Sequence, residues 1–464
     1  MQAIKANRRG WVMEGSALAE TKSLHVPAAY GEPPDGWTWS RLDDVSDGVF
    51  DCPHSTPKLT DTGPFVVRTQ DIITGVFRAD QAGRVSEETY AERIARVTPS
   101  RGDLLYSREG TYFGIAAEVP PRTRVCLGQR MVLIRPDKRR LDFSFLCHWL
   151  NSPMMAAHIH GYRDGTVAER LNLPTIRALP ILIPPLAEQQ AIAAVLGALD
   201  DKIELNRRMN ATLEKMARAL FQSWFVDFDP VRAKLDGRPP AGIDPATAAL
   251  FPEHLEDSPL EHIPKGWKVG KIQDCCIQIQ NGGTPRRNEP RFWGGGNIPW
   301  LASGEVRQSI ITVTENFITE EGLAESSAKW VPAFSTVVAL YGATAGQVSF
   351  TSFRLTTNQA VCALIPKKSF PFFNYLTMRG ATAEMENKAV GSAQQNISKG
   401  IVEETQVVLP PTTVIERFAD VASPLFERWI SNLHQSRTLA TLRDTLLPKL
   451  LSGELSLSAL EVAR

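Results

Sequence analysis

The chain has 464 residues, enough for two or three domains, and its 43% hydrophobic and 22% charged residues are ordinary for a soluble globular protein. Lys+Arg and Asp+Glu are equal at 51 each, so composition lacks the basic excess that nucleic-acid-binding proteins often carry. No run of 18 apolar residues predicts a membrane span, and the six cysteines form no C-x-x-C pair, which argues for reduced thiols rather than a zinc site.

The first predicted segment, residues 1–33, lacks the apolar block of a signal peptide, so we expect a loosely ordered N-terminal extension. From residue 34 to residue 180 the cations are nearly all arginines, and Lys58 and Lys138 are the only lysines. The planar guanidinium suits phosphate and guanine, which favours a nucleic-acid partner. A GC-rich genome would explain the arginines equally well.

An internal repeat organises the rest of the chain. Each half begins with Pro-x-Gly-Trp and ends with an apolar strand and a double proline. Between these ends, each half has a short strand-like segment, then a predicted β-strand that leads into a loop bounded by glycines, and then a glutamine that precedes a further strand. In chain order these features lie at 34–37, 65–72, 104–114, Gln129 and 181–185, and again at 264–267, 298–306, 337–346, Gln359 and 407–411.

The repeat predicts two copies of one domain, over residues 34–185 and 264–411. A period above 200 residues is too long for a solenoid. Short strands, glycine-containing turns and few long periodic segments predict α+β domains. Residues 228–263 between the copies are rich in Pro, Gly, Ala and Asp and predict an irregular connector, and residues 453–464 form a C-terminal tail.

Two long helices are predicted, over residues 186–227 and 412–452, because apolar residues recur at spacings of three and four. About 40 residues would span roughly 60 Å. A single helix of this length cannot bury its apolar stripe alone, so we expect an antiparallel, coiled-coil-like pair separating the two domains. The predicted interface residues are Ile192, Leu199, Ile203, Asn206, Leu213, Leu220, Phe418, Leu425, Trp429, Asn432, Leu439 and Leu446.

Asparagines occupy equivalent positions in the two helices, since adding 226 to Asn206 gives Asn432. An asparagine inside a heptad seam costs stability but fixes register and orientation. The alternative is that both side chains face solvent. Pro424 predicts a kink or a late start in the second helix, and Pro448 predicts a break near its end.

No motif in the sequence supports catalysis by this chain. A G-x-x-x-x-G-K-[ST] loop, a Pro-Pro-Tyr or Pro-Pro-Phe loop and a G-x-G-x-x-G turn after a strand are all absent. His158 and His160 lack a third metal ligand and are typical of solvated side chains. We therefore expect no catalytic residue, no metal site and no cofactor, and we favour a binding role.

Two related domains joined by a rigid helical pair would suit a bipartite linear target, and duplex DNA is the natural candidate. Arginine reads guanine, and asparagine and glutamine read adenine, through paired hydrogen bonds. Each candidate could instead be an ordinary turn or surface residue. The predicted DNA-contact residues are Arg68, Gln70, Arg108, Tyr112 and Gln129 in the first domain and Arg286, Arg287, Ser303, Tyr341, Thr344, Asn358 and Gln359 in the second.

From about residue 34 to residue 457 the sequence resembles the specificity subunits of Type I restriction–modification systems. No single motif decides this, but their order and duplication do. The matching motifs are Gly-Gly-Thr-Pro at 282–285, Phe-Trp-Gly-Gly at 292–295, Ile-Pro-Trp-Leu at 298–301, Thr-Asn-Gln-Ala at 357–360, the run 395–400, the helix entry at 184–192, and 228–234 followed by 250–252. The sequence departs from the family at 412–418, where the usual Leu-x-Glu-Gln is degraded.

The resemblance implies a cytoplasmic, non-catalytic subunit with two target recognition domains, each reading half of an asymmetric double-stranded DNA site. It implies that two methylation subunits bind along the helices and that restriction subunits join the complex. It implies no membrane partner. Those partners would bind adenosylmethionine, Mg²⁺ and ATP, and adenine N6 methylation would be the reaction that the chain directs. Two alternatives stay open, a stand-alone DNA methyltransferase or nuclease with unrecognised motifs and a scaffold that does not read sequence.

Overall fold

The structure, a computed structural model, describes residues 26–27, 30–110, 113–160, 170–389 and 396–457. Most of the predicted N-terminal extension and the end of the predicted tail lie outside the described residues. The chain divides into two compact units, Met1–Asp200 with Thr441–Arg464 and Asp201–Ala440. Among the described residues, no helix combines the length and the apolar character that crossing a lipid bilayer requires.

The first unit mixes short strands with short helices, as the α+β prediction requires. Its elements are β1 Thr38–Arg41, β2 Ser46–Asp51, β3 Thr60–Val67, β4 Ile72–Ile73, β5 Val76–Phe77, β6 Gly83–Arg84, α1 Glu87–Ile94, β7 Leu104–Ser107, β8 Ala116–Glu118, β9 Val125–Leu127, β10 Met131–Pro136, α2 Phe143–Leu150, α3 Pro153–His160, α4 Leu173–Arg177 and β11 Pro180–Ile183.

An apolar strand, β10, lies at the centre of the main sheet of the first unit. The sheet has the order β2-β10-β7-β8, and its strands pair antiparallel. Residues 131–134 of β10 have no exposed surface, which is why this run is apolar at every position rather than at alternate ones. A second sheet, β6-β3-β9, contains a parallel pairing of β3 with β9.

The long helix α5, Leu186–Phe225, follows the first domain, and the predicted connector after it is more regular than expected. The connector contains α6 Asp229–Leu235, α7 Pro245–Ala249 and the hairpin of β12 Leu255–Ser258 with β13 Glu261–Pro264. Phe228, Val231, Phe251 and Ile263 are buried in the main hydrophobic cluster of the second unit. These spaced apolar residues anchor a segment whose local composition alone indicated irregular structure.

The second unit continues with the same mixture of elements. They are β14 Lys268–Lys271, β15 Cys276–Asn281, β16 Ile298–Leu301, β17 Ile310–Ile311, β18 Asn316–Ile318, α8 Glu320–Ala324, β19 Trp330–Val331, β20 Thr336–Ala339, β21 Val348–Thr351, β22 Leu355–Thr357, β23 Val361–Pro366, α9 Pro371–Gly380, α10 Thr382–Ala389, α11 Lys399–Glu403, β24 Gln406–Leu409 and α12 Thr412–Leu451.

The two largest sheets of the second unit repeat those of the first with one strand added to each. Its main sheet has the order β15-β23-β20-β21-β17, and β16 pairs in parallel with β22 as β3 does with β9. Registers also agree: the second residue of β10 pairs with Asp51, and the second residue of β23 pairs with Asn281. The predicted duplication of one α+β domain is confirmed at the level of strand order and register.

Helices α5 and α12 pack against each other in antiparallel orientation. In the second unit, the rings of Phe225 and Phe418 lie 4.9 Å apart, and the Asn206 amide donates to Gln435 Oε1 at 2.9 Å. In the first unit, Arg443 of α12 donates to Asp200 of α5 at 2.7 Å. Residue numbers therefore rise along one helix as they fall along the other.

The second long helix is continuous through Pro424 and Pro448, so the predicted late start at Pro424 and the predicted break at Pro448 are both wrong. A proline removes the hydrogen bond to the carbonyl four residues earlier, here that of Asp420 or Asp444. Both prolines and both aspartates are exposed, so water can bind the released carbonyls. The last turns of α12 carry Leu447, Leu450 and Leu451 into the core of the first unit.

Candidate nucleic-acid interface

The predicted glycine loop begins and ends with glycines of the same backbone conformation in both domains. Gly110 and Gly114 have φ angles of 93° and 77°, and Gly342 and Gly346 have φ angles of 87° and 82°. All four values lie in the left-handed region that favours glycine. Gly114 N donates to Ser107 O at 2.7 Å and Gly346 N donates to Ala339 O at 2.9 Å, so each loop closes on the last residue of its strand.

A threonine–glutamine hydrogen bond ties two loops together in the first domain. The Thr56 hydroxyl donates to Gln129 Oε1 at 3.0 Å, and Gln129 Nε2 donates to the carbonyl of His54 at 3.0 Å. Gln129 is nevertheless exposed. Its amide is held in one orientation on the surface.

The second domain contains the equivalent bond. The Thr284 hydroxyl donates to Gln359 Oε1, and Gln359 is also exposed. The two threonines were not among the predicted contact residues. A Thr-Pro pair in each half, at 56–57 and 284–285, was the sequence signal that could have identified them.

Arg93 supports the loop that contains Thr56. Its guanidinium donates to the carbonyls of Leu127 at 2.9 Å, Ser55 at 3.2 Å and Pro53 at 3.4 Å. Only 8% of Arg93 is exposed, so its role is to support the loop from inside the domain. Sequence reasoning missed this residue because its partners are backbone carbonyls and the Ser55 hydroxyl, which no local pattern connects to Arg93.

Two predicted arginines lie exposed in the loop after β15. The Arg287 guanidinium lies over the Trp293 ring at 4.3 Å and over the Trp300 ring at 4.8 Å. Trp293 Nε1 donates to the Arg286 carbonyl at 3.1 Å, which fixes the same loop. Stacking uses the face of the Arg287 guanidinium and leaves its in-plane N–H donors available for bidentate recognition of a base or phosphate.

The remaining predicted residues of the second domain border this loop. Asn358 N donates to Leu301 O at 3.0 Å, beside the Thr284–Gln359 bond, while the Ser303 carbonyl accepts from the Thr344 hydroxyl at 2.8 Å. Ser303 and Asn358 are half-buried and Tyr341 is exposed. Thr344 is only 3% exposed, so its hydroxyl joins two loops instead of facing outward as expected.

Arg68 and Gln70 lie in the first domain just after β3. The Arg68 guanidinium donates to Asp71 through two nitrogens, both at 2.9 Å, and this bond raises the Arg68 pKa. About a third of the Arg68 side chain remains exposed, and Gln70 is exposed. Both residues can reach a ligand at the surface, although Arg68 already has an anionic partner.

Arg108 differs from the expectation of an open guanidinium at the surface. It is 4% exposed, and its Nη1 lies 3.2 Å from Asp51 Oδ1. The Asp51 carboxylate also lies 3.3 Å from His54 Nε2, in the loop that meets Gln129. Tyr112, its predicted neighbour in the loop, lies outside the described residues.

The predicted helix-interface residues fall on both units. The amide of Asn432 donates to Asn210 Oδ1 at 2.9 Å, and Asn206 and Asn432 are 0% and 1% exposed. The asparagines therefore lie inside the seam and not in solvent. The apolar members are buried or half-buried, namely Ile192, Leu199, Ile203, Leu213, Leu220, Phe418, Leu425, Trp429, Leu439 and Leu446.

Within the described residues, no group of three or more His, Cys, Asp or Glu side chains could hold a metal ion. The six cysteines are all free and buried. Burial raises the pKa of Cys275 and Cys276 to about 12, which keeps both as unreactive thiols.

Comparison with known proteins gives a family match to each half of the chain. A family model described as "Type I restriction modification DNA specificity domain" matches residues 34–215 and 264–436. The chain is 29% identical over 440 residues to the type I restriction enzyme HindI specificity subunit of Haemophilus influenzae. The aligned region covers 84% of this chain and 94% of that relative.

Two further similarities extend over most of the chain. The type I restriction enzyme MjaIX specificity subunit of Methanocaldococcus jannaschii is 26% identical over 380 residues, covering 81% of this chain and 82% of that relative. The crystal structure of a Type I restriction–modification S subunit from M. genitalium matches with a TM-score of 0.58 at 15% identity, covering 89% of this chain and 96% of that one.

Proposed function

Because this chain belongs to the family of Type I restriction–modification DNA specificity domains, we propose that it is the subunit that reads the DNA sequence for such a system. The observation that carries the proposal is the double family match, over residues 34–215 and 264–436, on two domains whose main sheets share four strands in the same order. Two copies of one reader suit a site made of two separate halves.

The reading domains in this proposal are residues 34–185 and 264–411, joined by helices over 186–227 and 412–452 and by the connector 228–263. Their exposed polar loops contact double-stranded DNA. The residues best exposed for this contact are Gln70, Gln129, Arg286, Arg287, Tyr341 and Gln359, with Arg68, Ser303 and Asn358 half-buried beside them. Arg108 and Thr344, which are buried, support the loops from within.

Catalysis belongs to partner subunits in this proposal. Two methylation subunits transfer a methyl group to adenine N6, restriction subunits cut the DNA, and this chain selects the site in the cytoplasm. A binding role agrees with exposed loops that offer amides, hydroxyls and guanidinium groups to a ligand. The purified chain alone should show no methyltransferase, nuclease or ATPase activity.

The test is to map N6-methyladenine in cells with and without this chain, in a host that supplies the methylation subunits. We expect one split motif that disappears when the chain is deleted. Replacing residues 34–180 by the same region of a relative should change one half of the motif only. Turnover by the purified chain would support a stand-alone enzyme, and methylation without any motif would support a scaffold that does not read sequence.

A further inference from the structure

We propose that Gln129 and Gln359 are the specificity-determining residues that each recognise the adenine of an A·T pair, one in each half of the DNA site. This inference rests on the proposed function and assigns one base in each half to a named side chain. It is carried by the position, the orientation and the duplication of the two amides.

The two glutamines occupy the same position in the two domains. Gly128 N, just before Gln129, donates to Val67 O at 2.7 Å, and Asn358 N, just before Gln359, donates to Leu301 O at 3.0 Å. Each bond continues a parallel strand pairing, β3 with β9 and β16 with β22. Each glutamine then leads into an internal strand of the main sheet, β10 or β23, which is a rigid support.

The amide of Gln129 is oriented, yet half of its hydrogen-bonding capacity is free. An amide oxygen accepts two hydrogen bonds and an amide nitrogen donates two. Thr56 and the His54 carbonyl use one of each. One acceptor site and one donor remain, and the major-groove edge of adenine requires one acceptor for its N6 amino group and one donor for N7.

The His54 carbonyl identifies the two ends of the Gln129 amide. A carbonyl oxygen only accepts, so the atom that donates to it is the amide nitrogen, and the amide oxygen faces Thr56. The Thr284 hydroxyl bonds Gln359 at the equivalent position of the second domain. Each threonine precedes a proline, which restricts its backbone to extended conformations. The loop therefore presents the hydroxyl from a constrained position, and the glutamine is preorganised before DNA binds.

The residues around the two glutamines differ between the domains, whereas the threonine–glutamine hydrogen bond is present in both. Arg68 in the first domain and Ala302 in the second occupy equivalent positions. Arg68 N donates to Asp71 and Ala302 N donates to Glu305 in equivalent turns. Two half-sites that differ elsewhere should therefore share an A·T pair at the position that the glutamine reads.

The experiment uses the full chain with its methylation subunits in cells, and the readout is the N6-methyladenine motif. We expect the wild-type motif to contain an A·T pair in both halves. Gln129→Glu should weaken the preference for A·T about 10-fold or more at one position of one half, because glutamate cannot donate to adenine N7. Gln359→Glu should do the same in the other half only.

Threonine variants provide the control for loop structure. Thr56→Ser keeps the hydroxyl and should leave the motif unchanged, whereas Thr56→Val removes it and should relax the same position as Gln129→Glu. If the glutamine variants lower the melting temperature while every position of the motif stays fixed, the bond only ties loops together and the inference is overturned. A wild-type motif without A·T in one half overturns the assignment for that half, and the absence of any motif removes the proposed function as well.

Discussion

The Arg108 guanidinium lies 3.2 Å from the Asp51 carboxylate, and both residues are replaced by uncharged residues at the equivalent positions of the second domain. Asp51 pairs with the second residue of β10, as Asn281 does with the second residue of β23. Arg108 N donates to Arg130 O, and Leu340 N donates to Ala360 O in the same place. The acid and the base have therefore changed together between the two copies.

The coupled exchange predicts that Arg108→Leu alone lowers the stability of the folded chain. The double variant with Asp51→Asn and Arg108→Leu should be nearly as stable as the wild-type chain. Arg108→Leu leaves a carboxylate that is 18% exposed without its cation, and breaking such a pair costs about 3 kcal/mol at the lower end of the usual range. The melting temperature of the purified chain should fall by about 6–12 °C. The double variant reproduces the neutral pair of the second domain and should recover most of this loss.

The methylated motif is the second measurement on these variants. A buried pair that supports a loop should leave the recognised bases unchanged in the double variant. If the double variant melts normally but one base of the motif relaxes, Arg108 leaves Asp51 and contacts DNA in the complex.

The asparagine contacts in the helix pair predict a measurable stability difference between two variants on one helix. Asn432→Ala removes the donor to the buried Asn210 oxygen, and a buried group left without its partner costs about 1–3 kcal/mol. His434→Ala, two residues away on the exposed face, should change the free energy of unfolding by less than about 0.5 kcal/mol. Denaturant titration of both purified variants compares them, and equal effects would contradict a structural role for Asn432.

The length of the helix pair predicts the gap between the two half-sites. A seven-residue insertion near Ala211 in α5, matched by one near Ser431 in α12, keeps the heptad seam in phase and adds about 10 Å. At about 3.4 Å per base pair, the gap in the methylated motif should grow by about three base pairs. An insertion in α5 alone should instead lower stability, because the seam residues no longer face each other. An unchanged gap with the matched insertions would refute the spacing role.

The half-buried His148 predicts that the first unit loses stability on mild acidification. Burial lowers the His148 pKa below its ordinary value of 6.5, while the charge of Asp200, 3.8 Å away, opposes the shift only in part. The unfolded chain therefore binds a proton on this histidine at a higher pH than the folded chain does. Stability from the neutral imidazole is complete above pH 6.5 and decreases as the pH falls below it.

The variant His148→Gln should show a flatter dependence of the melting temperature on pH between about 7 and 5.5, since glutamine does not titrate. Replacing the exposed His434 by glutamine serves as the matched control and should leave the slope of the wild-type chain unchanged. Parallel pH profiles for the wild-type chain and His148→Gln would show that His148 does not link protonation to folding.

The sequence predicted the long helices and the duplicated domain well, because both signals accumulate over many residues. The heptad pattern extends over the whole of α5, and the repeated Pro-x-Gly-Trp, glycine loops and double prolines align at nearly constant offsets. The connector was less predictable, since Phe228 and Phe251 find their packing partners only in the folded unit. Pro424 shows the same limit, because an exposed helix face tolerates a proline that local rules reject.

The candidate site was predictable in its types of residue and not in their partners. The glycine loops, Gln129 and Gln359 follow from the repeat, and both glutamines are exposed as expected. Thr56 lies 73 residues before Gln129, and Asp51 lies 57 residues before Arg108. No local pattern indicates which arginine meets a carboxylate that far away, so the burial of Arg108 could be learned only from the fold.

The placement of Leu447, Leu450 and Leu451 in the core of the first unit has a consequence for how the chain is made. A ribosome releases residues 34–185 long before it releases α12, so the N-terminal unit leaves the exit tunnel with part of its core missing. That unit can complete its packing only after the last helix has been synthesised. We therefore expect a stop codon near residue 441 to destabilise the N-terminal unit. We also expect nascent chains to depend on chaperones until translation ends.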